Sequence, residues 1–482
     1  MTTAPNAGRQ VSLIQIRGNP GSLHSRHDRT VMPGSWRGVV FVHMKRRRLR
    51  RALIAVTALV GTVALGANSA AAAQPAPPRS QIRVEILGLD GKPLQPGPAY
   101  PATAEGALAA AAAKGNEPSP EQATPEFRKA VAELENHPAG KPMQAGELPQ
   151  YFLNLCKNDP RSESAAGHVF HRLFWCQRFG LKARAYRGTT LSGEVTLKWI
   201  AAAVGNYKIR TNTFWLQPTY ADDNWGDYEN PLTTQLTVGP VCAAVGDPGC
   251  STNYGPLALP LEDWQRHVRI GQWTSWNIDS DETKSTAPDK VSNHKWHITT
   301  AVHTPEPGVE WKADSPDNGM RCDSSPDFRN DPRACANSDV IPWLPVFSGF
   351  LTDYAAHIRQ ALDAPDTTFP PEPHPKRIPG KYFYGDPTKP GLHRIPEPET
   401  GPNRAEVRKA CSNLPKPPGD VECDEYPFAS TMEGAANPVW DFSVKYIDGW
   451  QNNWGGGDLQ DFYHSSRILY KLQDQFYVNI ID

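Results

Sequence analysis

The sequence predicts an α+β protein: a mainly antiparallel, sandwich-like β region, followed by a small domain ordered strand, strand, loop, helix, strand. Three observations lead there. Between residues 152 and 302, short runs of β-branched and aromatic residues are broken by Gly and Asn, as in successive antiparallel strands. From 421 onward, period-two alternation gives way to a glycine-rich stretch and then to helical spacing. Eight cysteines are spread over both parts, and an even count in an exported chain favours disulfides.

A length of 482 residues exceeds one ordinary domain. The net charge of −1 gives no global positive field to attract a polyanion. The 47 prolines and the 39% hydrophobic content imply long linkers around modest cores. Residues 1–43 lack an apolar period and read as an extension ahead of the true start at Met44. MKRRRLRR, a 16-residue apolar run and NSAAAA then have the form of a secretory signal over 44–73, with Ala73 the last residue removed. The run is short for a membrane span. The alternative is an uncleaved N-terminal anchor, and either way the rest of the chain lies outside the cytoplasm. No stable membrane association is expected.

The cysteine spacings suggest four sequential loops: Cys156–Cys176, Cys242–Cys250, Cys322–Cys335 and Cys411–Cys423. None has the CxxC spacing of a structural zinc site. Residues 74–150 are rich in Ala, Pro, Gly and Glu and read as a spacer, with a short strand at 82–89 and a helix at 124–135. Residues 151–305 form the β-rich domain, with strands in KARAYRG, GEVTLKWIAAAVG, KIRTNTFWLQPTY, RIGQWTSWNI and KWHITTAVH. Trp273, Trp276 and Trp296 are expected to pack in its interior rather than to form a ligand face. On a strand His294 points away from His297 and His303, so the three do not make a metal trio. Residues 306–370 read as a connector holding the Cys322–Cys335 loop and an amphipathic helix over 352–362, with Tyr354, Ile358 and Leu362 in line. A Pro-rich stretch at 368–380 ends it, and 371–482 is the last domain.

In that domain VECDEYPF reads as a strand entering a turn, because Pro427 has no N–H for a ladder. WDFSVKYID alternates over 440–448, NNWGGG over 452–457 reads as a tight turn, GDLQDFYHSSRILY as a helix and FYVNI as a closing strand. His464 falls on that helix as a surface histidine.

CDEYPFAST followed by EGA, the FSVKYI strand, NNWGGG ahead of a helix, and RIL and FYV near the end resemble the NucA/NucB-type secreted deoxyribonucleases. The resemblance covers about 80 to 110 residues. It implies a small ββα-metal (His-Me finger-like) fold for 371–482 and metal-dependent cleavage of DNA with little sequence specificity. It also implies Asp424 as general base, with Glu425 in support and Glu433 as a further carboxylate near the site. Asn453, with Asn452 beside it, would hold a divalent cation, Mg²⁺ or Mn²⁺. Lys445 and Arg467 are candidates for phosphate contact. Cys411–Cys423 would staple the strand.

The chemistry is consistent with that assignment. Phosphodiester hydrolysis needs an activated water and a cation on the phosphate oxygens, and hard cations take oxygen ligands. An unperturbed Asp titrates near ~4, so burial or the neighbouring Glu425 would have to raise it. On a strand Asp424 and Glu425 face opposite ways, so only one can address the metal unless the chain turns at Tyr426. Where the family usually reads Asp-Asn-Arg, this chain has Asn452, Asn453 and Trp454. Residues 404–482 carry seven Lys/Arg against twelve Asp/Glu, a net of −5, which weakens attraction to phosphate. The alternative reading is a secreted surface- or glycan-binding protein with a degenerate nuclease domain.

Overall fold

Thirteen strands build two facing antiparallel sheets: β1 (Gln81–Glu85), β2 (His168–His171), β3 (Phe174–Arg187), β4 (Thr190–Val204), β5 (Thr211–Ala221), β6 (Gln235–Cys242), β7 (Cys250–Thr252), β8 (Leu257–Pro260), β9 (Thr274–Ser280), β10 (Ser292–His303), β11 (Glu310–Asp314), β12 (Asn318–Asp323) and β13 (Ala334–Asn337). This is a computed structural model, and it describes residues 81–85, 92, 124–137, 147–187, 189–222, 234–242, 249–285, 288–303, 310–382 and 389–482. The expected extension and signal segment, and most of the expected spacer, lie outside the described residues. One sheet runs β1-β3-β4-β5-β9-β7 with β2 on β3, and the other β13-β12-β10-β6-β8 with β11 on β10.

The sheets meet over Trp175, Phe214, Trp276 and Trp296. Trp175 and Trp296 come from opposite sheets with ring centroids 4.9 Å apart, edge to face, a favoured aromatic geometry. Two of the three singled-out tryptophans are thus core, and Trp273 packs at the margin of a second cluster. His294 turns inward to Ser280 at 2.8 Å, while His297 turns outward to Asp317 at 2.9 Å. α3 (Leu261–Ile270) adds Trp264 to the same core and stops at Gly271, whose φ of 62° suits a residue without Cβ.

A helix from the expected spacer and one from the start of the expected β-rich domain together supply a further layer. α1 (Pro125–Glu135) and α2 (Gln150–Asn158) lay Phe127, Val131, Leu134 and Phe152 on the outer face of the first sheet, against Phe170, Phe174 and Trp215. Burying these rings supplies the local drive to order the helices.

The C-terminal part begins earlier than expected. β14 (Trp343–Phe347) and α4 (Thr352–Asp363), read as connector, belong to its core. α5 (Gly401–Ser412), β15 (Val421–Tyr426), β16 (Ser443–Asp448), α6 (Gly449–Ser465) and β17 (Tyr477–Ile481) follow. β15 pairs with β16 antiparallel, while β17 pairs with β14 in parallel. All four sequential cysteine pairs form, with Cα–Cα distances of 5.7, 6.0, 4.1 and 6.2 Å.

NNWGGG is not a turn but lies inside α6, which starts at Gly449. Three glycines there cost about 1 kcal/mol each relative to Ala. Local and tertiary bonds offset them. Asp448 caps the helix by accepting from Gln451 N at 2.9 Å, and Gln451 Oε1 accepts from Asp353 N of α4 at 2.7 Å. Gly455 is needed because a Cβ there would collide with the Tyr354 ring.

Candidate active site

β15 divides the sequence-derived carboxylates between its two faces. Glu422, Asp424 and Tyr426 alternate on one, and Cys423 and Glu425 on the other. Cys423 ties its face to α5 through Cys411. The opposite face is covered by α4 and α6.

Asp424 is buried, and its Oδ2 lies 2.6 Å from His357 Nδ1 on α4. A carboxylate can only accept, so Nδ1 carries the proton and donates. His357 Nε2 is 2.8 Å from Ser443 Oγ on β16, and in the neutral ring it accepts the Ser443 hydroxyl proton. His357 and Ser443 are sealed, at 0% and 1% exposure. Asp424 Oδ1 meets no protein donor among the described residues and is not one of the buried atoms left without a partner, so it keeps contact with solvent. His357 and Ser443 back an open cleft of about 280 Å³ rimmed by Gln360, Phe369, Lys445 and Tyr446.

Glu425 serves the other side. Its Oε1 accepts from Ala429 N at 3.2 Å and holds the loop after the strand. Burial, and then the Asp424 charge beside it, push its carboxyl up to about 7. Glu433 is taken by His393, whose backbone N donates to Oε2 at 2.9 Å and whose Nδ1 lies 2.8 Å from Oε1. Asn403 of α5 clamps the intervening chain. Its Nδ2 donates to Ala429 O and Thr431 O, and its Oδ1 accepts from Ala436 N, all at 2.9 Å. Gly434 sits so close to this amide that a Cβ would overlap it.

On the Asp424 side, Glu422 gathers the two amides from α6. Asn452 Nδ2 donates to Glu422 Oε2 at 2.9 Å, and Asn453 Nδ2 approaches the same oxygen at 3.4 Å while donating to Gly449 O at 2.8 Å. Both amides thus turn nitrogen, not carbonyl oxygen, toward Glu422. One carboxylate and two amide carbonyls make an all-oxygen set, the kind a hard divalent cation takes with water completing its shell. The residue types suit such a cation once both amides turn over to present oxygen. Among the described residues no group of three or more His, Cys, Asp or Glu forms a metal cluster by itself.

The two expected phosphate contacts part ways. Lys445 is exposed at the cleft rim, 3.5 Å from Gln360 Oε1. Arg467 is fully buried and cannot meet a substrate. It donates to Asp323 at 2.6 and 3.2 Å and to Asp331 O at 2.7 Å. It is an internal tie between the β region and the C-terminal part. His464 is partly exposed, 3.5 Å from Asp331.

His357, Ser443, Glu422, Asn403 and His393 escaped the sequence reading. Only Glu422 had a signal: two residues before Asp424 on a strand, it must share that residue's face. Nothing local marks His357, which meets Asp424 across 67 residues.

The family model for deoxyribonuclease NucA/NucB matches residues 397–479. The match takes in α5, β15, β16 and α6 and excludes α4 with His357. No curated protein and no solved structure matches the chain. The chain therefore carries, at its C-terminal end, a domain of the deoxyribonuclease NucA/NucB family.

Proposed function

We propose that the protein is a secreted, metal-dependent endonuclease that hydrolyses phosphodiester bonds of extracellular DNA with little sequence specificity. The observation that carries this reading is Asp424 within the family-matched segment, with one oxygen anchored by His357 and the other left to solvent. A carboxylate so held takes a proton from water in a fixed direction, which is what a general base must do. Glu422, Asn452 and Asn453 would hold Mg²⁺ or Mn²⁺, which when bound supplies charge stabilisation to the phosphate oxygens. Lys445, directly opposite Asp424 on the neighbouring strand, would draw the phosphate toward that carboxylate. Glu425 and Glu433 fix the loop behind the strand rather than touch substrate. The signal-like segment at 44–73 and four disulfides support secretion.

Incubating the purified chain with plasmid and linear DNA under Mg²⁺, Mn²⁺ or EDTA, beside Asp424→Ala, tests it. Metal-dependent cleavage reduced about 10²- to 10⁴-fold in the variant is expected. Equal cleavage by both proteins would move the base elsewhere. No cleavage under any metal would favour the degenerate, binding-protein reading, to which the net charge of −5 over 404–482 already leans.

A further inference from the structure

Three aromatic rings stand open on the outer side of the first half of α6. Trp450 and Trp454 are each 49% exposed, and Phe350, from the turn between β14 and α4, is 56% exposed. Their ring centroids lie 5.3, 6.0 and 5.7 Å apart. Among the described residues Trp175, Trp215, Trp264 and Trp276 are at most 1% exposed, and Trp273 and Trp440 are partly buried. A contiguous exposed aromatic group of this kind marks an interaction site.

The next residues on the helix point the same way. A Cβ at Gly456 or Gly457 would meet nothing within 4 Å. Packing does not require glycine at either position, and glycine weakens a helix. Gly457, three residues after Trp454, lies on the indole side of the helix, and its bare backbone leaves room there for a flat group. Asn453, three residues after Trp450 and so its neighbour on the helix surface, approaches Glu422, which links the indole side to the proposed cation donors. A domain with a net charge of −5 gains little from phosphate attraction, whereas base–aromatic stacking needs no charge and accepts any base.

We propose that Phe350, Trp450 and Trp454, with the open backbone at Gly457, form a stacking platform for unpaired nucleobases. The enzyme would then take single-stranded DNA in preference to intact duplex, whose base faces are hidden. This rests on the nuclease reading for the identity of the neighbouring site.

The test is binding rather than cleavage. Fluorescence anisotropy of labelled oligo-dT, and of its duplex with oligo-dA, is followed in EDTA with the purified chain. Single strand should bind at least ~10-fold tighter than duplex, and Trp450→Ala/Trp454→Ala should lose about 10-fold or more of that affinity. Gly457→Ala, which favours the helix, should weaken binding several-fold while thermal stability holds, so a folding defect in the tryptophan variant would not hide the answer. Equal affinity for duplex, or unchanged binding in both variants, would overturn the proposal. So would a tryptophan-dependent affinity for oligosaccharide, or a dimer abolished by the tryptophan changes, in place of DNA binding. Asp424→Ala should bind like the wild type, so oligo-dT binding without any cleavage by the wild type would sink the nuclease reading and leave the platform standing.

Discussion

Asp474 and Asp424 are both nearly closed off from solvent, at 1% and 4% exposure, yet their oxygens are used in opposite ways. Asp474 is saturated. Arg172 donates to it at 2.6 and 2.9 Å, Leu469 N at 3.0 Å, and Arg321 forms a further ion pair. Burial pushes this carboxyl up, but Arg172 and Arg321 outweigh it and hold it below the ordinary range. Asp424 spends one oxygen on a histidine and keeps the other. A carboxylate with no capacity left is a joint, while one held but unsaturated can still accept a proton. The same distinction separates the buried Arg467 from the exposed Lys445.

The largest test of this contrast is Asp474→Ala. It strands Arg172 and Arg321 without their partner, so a loss of about 3–5 kcal/mol is expected. Because Arg172 and Arg321 lie in the β region and Asp474 in the C-terminal part, denaturant unfolding should remain one shifted transition by tryptophan fluorescence and by nuclease assay. Two separate transitions in the wild type would break the idea of a joint. The contribution from Asp474 is complete above the unfolded carboxylate range and is lost as pH falls through its lowered folded value.

Glu425 gives a smaller effect of opposite sign. Its folded value of about 7 lies above the ordinary glutamate value of 4.5, so the native state keeps a proton that the unfolded chain releases. Stability therefore falls as pH rises from about 4.5 to 7. Glu425→Gln retains an acceptor for Ala429 N and should stabilise the protein by on the order of 2–3 kcal/mol at pH ~8, with little change at pH ~4. Thermal melts at the two pH values measure this. A stabilisation independent of pH would mean the carboxyl is not held up.

The smallest effect sharpens the Asp424 side. His357→Leu removes the donor that orients the carboxylate and should lower kcat by about 10- to 100-fold with little change in KM. His357→Asn, which can present an amide N–H near the Nδ1 position, should recover part of the loss. Equal defects in both variants, or a change confined to KM, would make His357 a packing residue only.

The C-terminal half shows how far local patterns reach. The helix over 352–362 and the strands around CDEY and SVKYID were legible because their apolar spacing is local. The sequential cysteine pairs were legible because short loops close at low entropic cost. The domain limits were not, since β14 reads as a connector until β17, more than a hundred residues later, pairs with it. The glycines of α6 read as a turn because intrinsic propensity is a weak prior, overridden by the Asp448 cap, the bond from Gln451 to α4 and the seat for Tyr354.

By itself the sequence determined the alternation of faces, hence that Asp424 and Glu425 look opposite ways, and the motif that ties 397–479 to a nuclease family. Only the tertiary structure decided that Asp424 would meet His357 across 67 residues and that Arg467 would be spent on Asp323 across 144. Periodicity encodes which side of an element is turned inward. The partner that a buried charge finds there is set by distant segments that fold onto it, because desolvation forces each such group to pair with whatever complementary group the packing brings within reach.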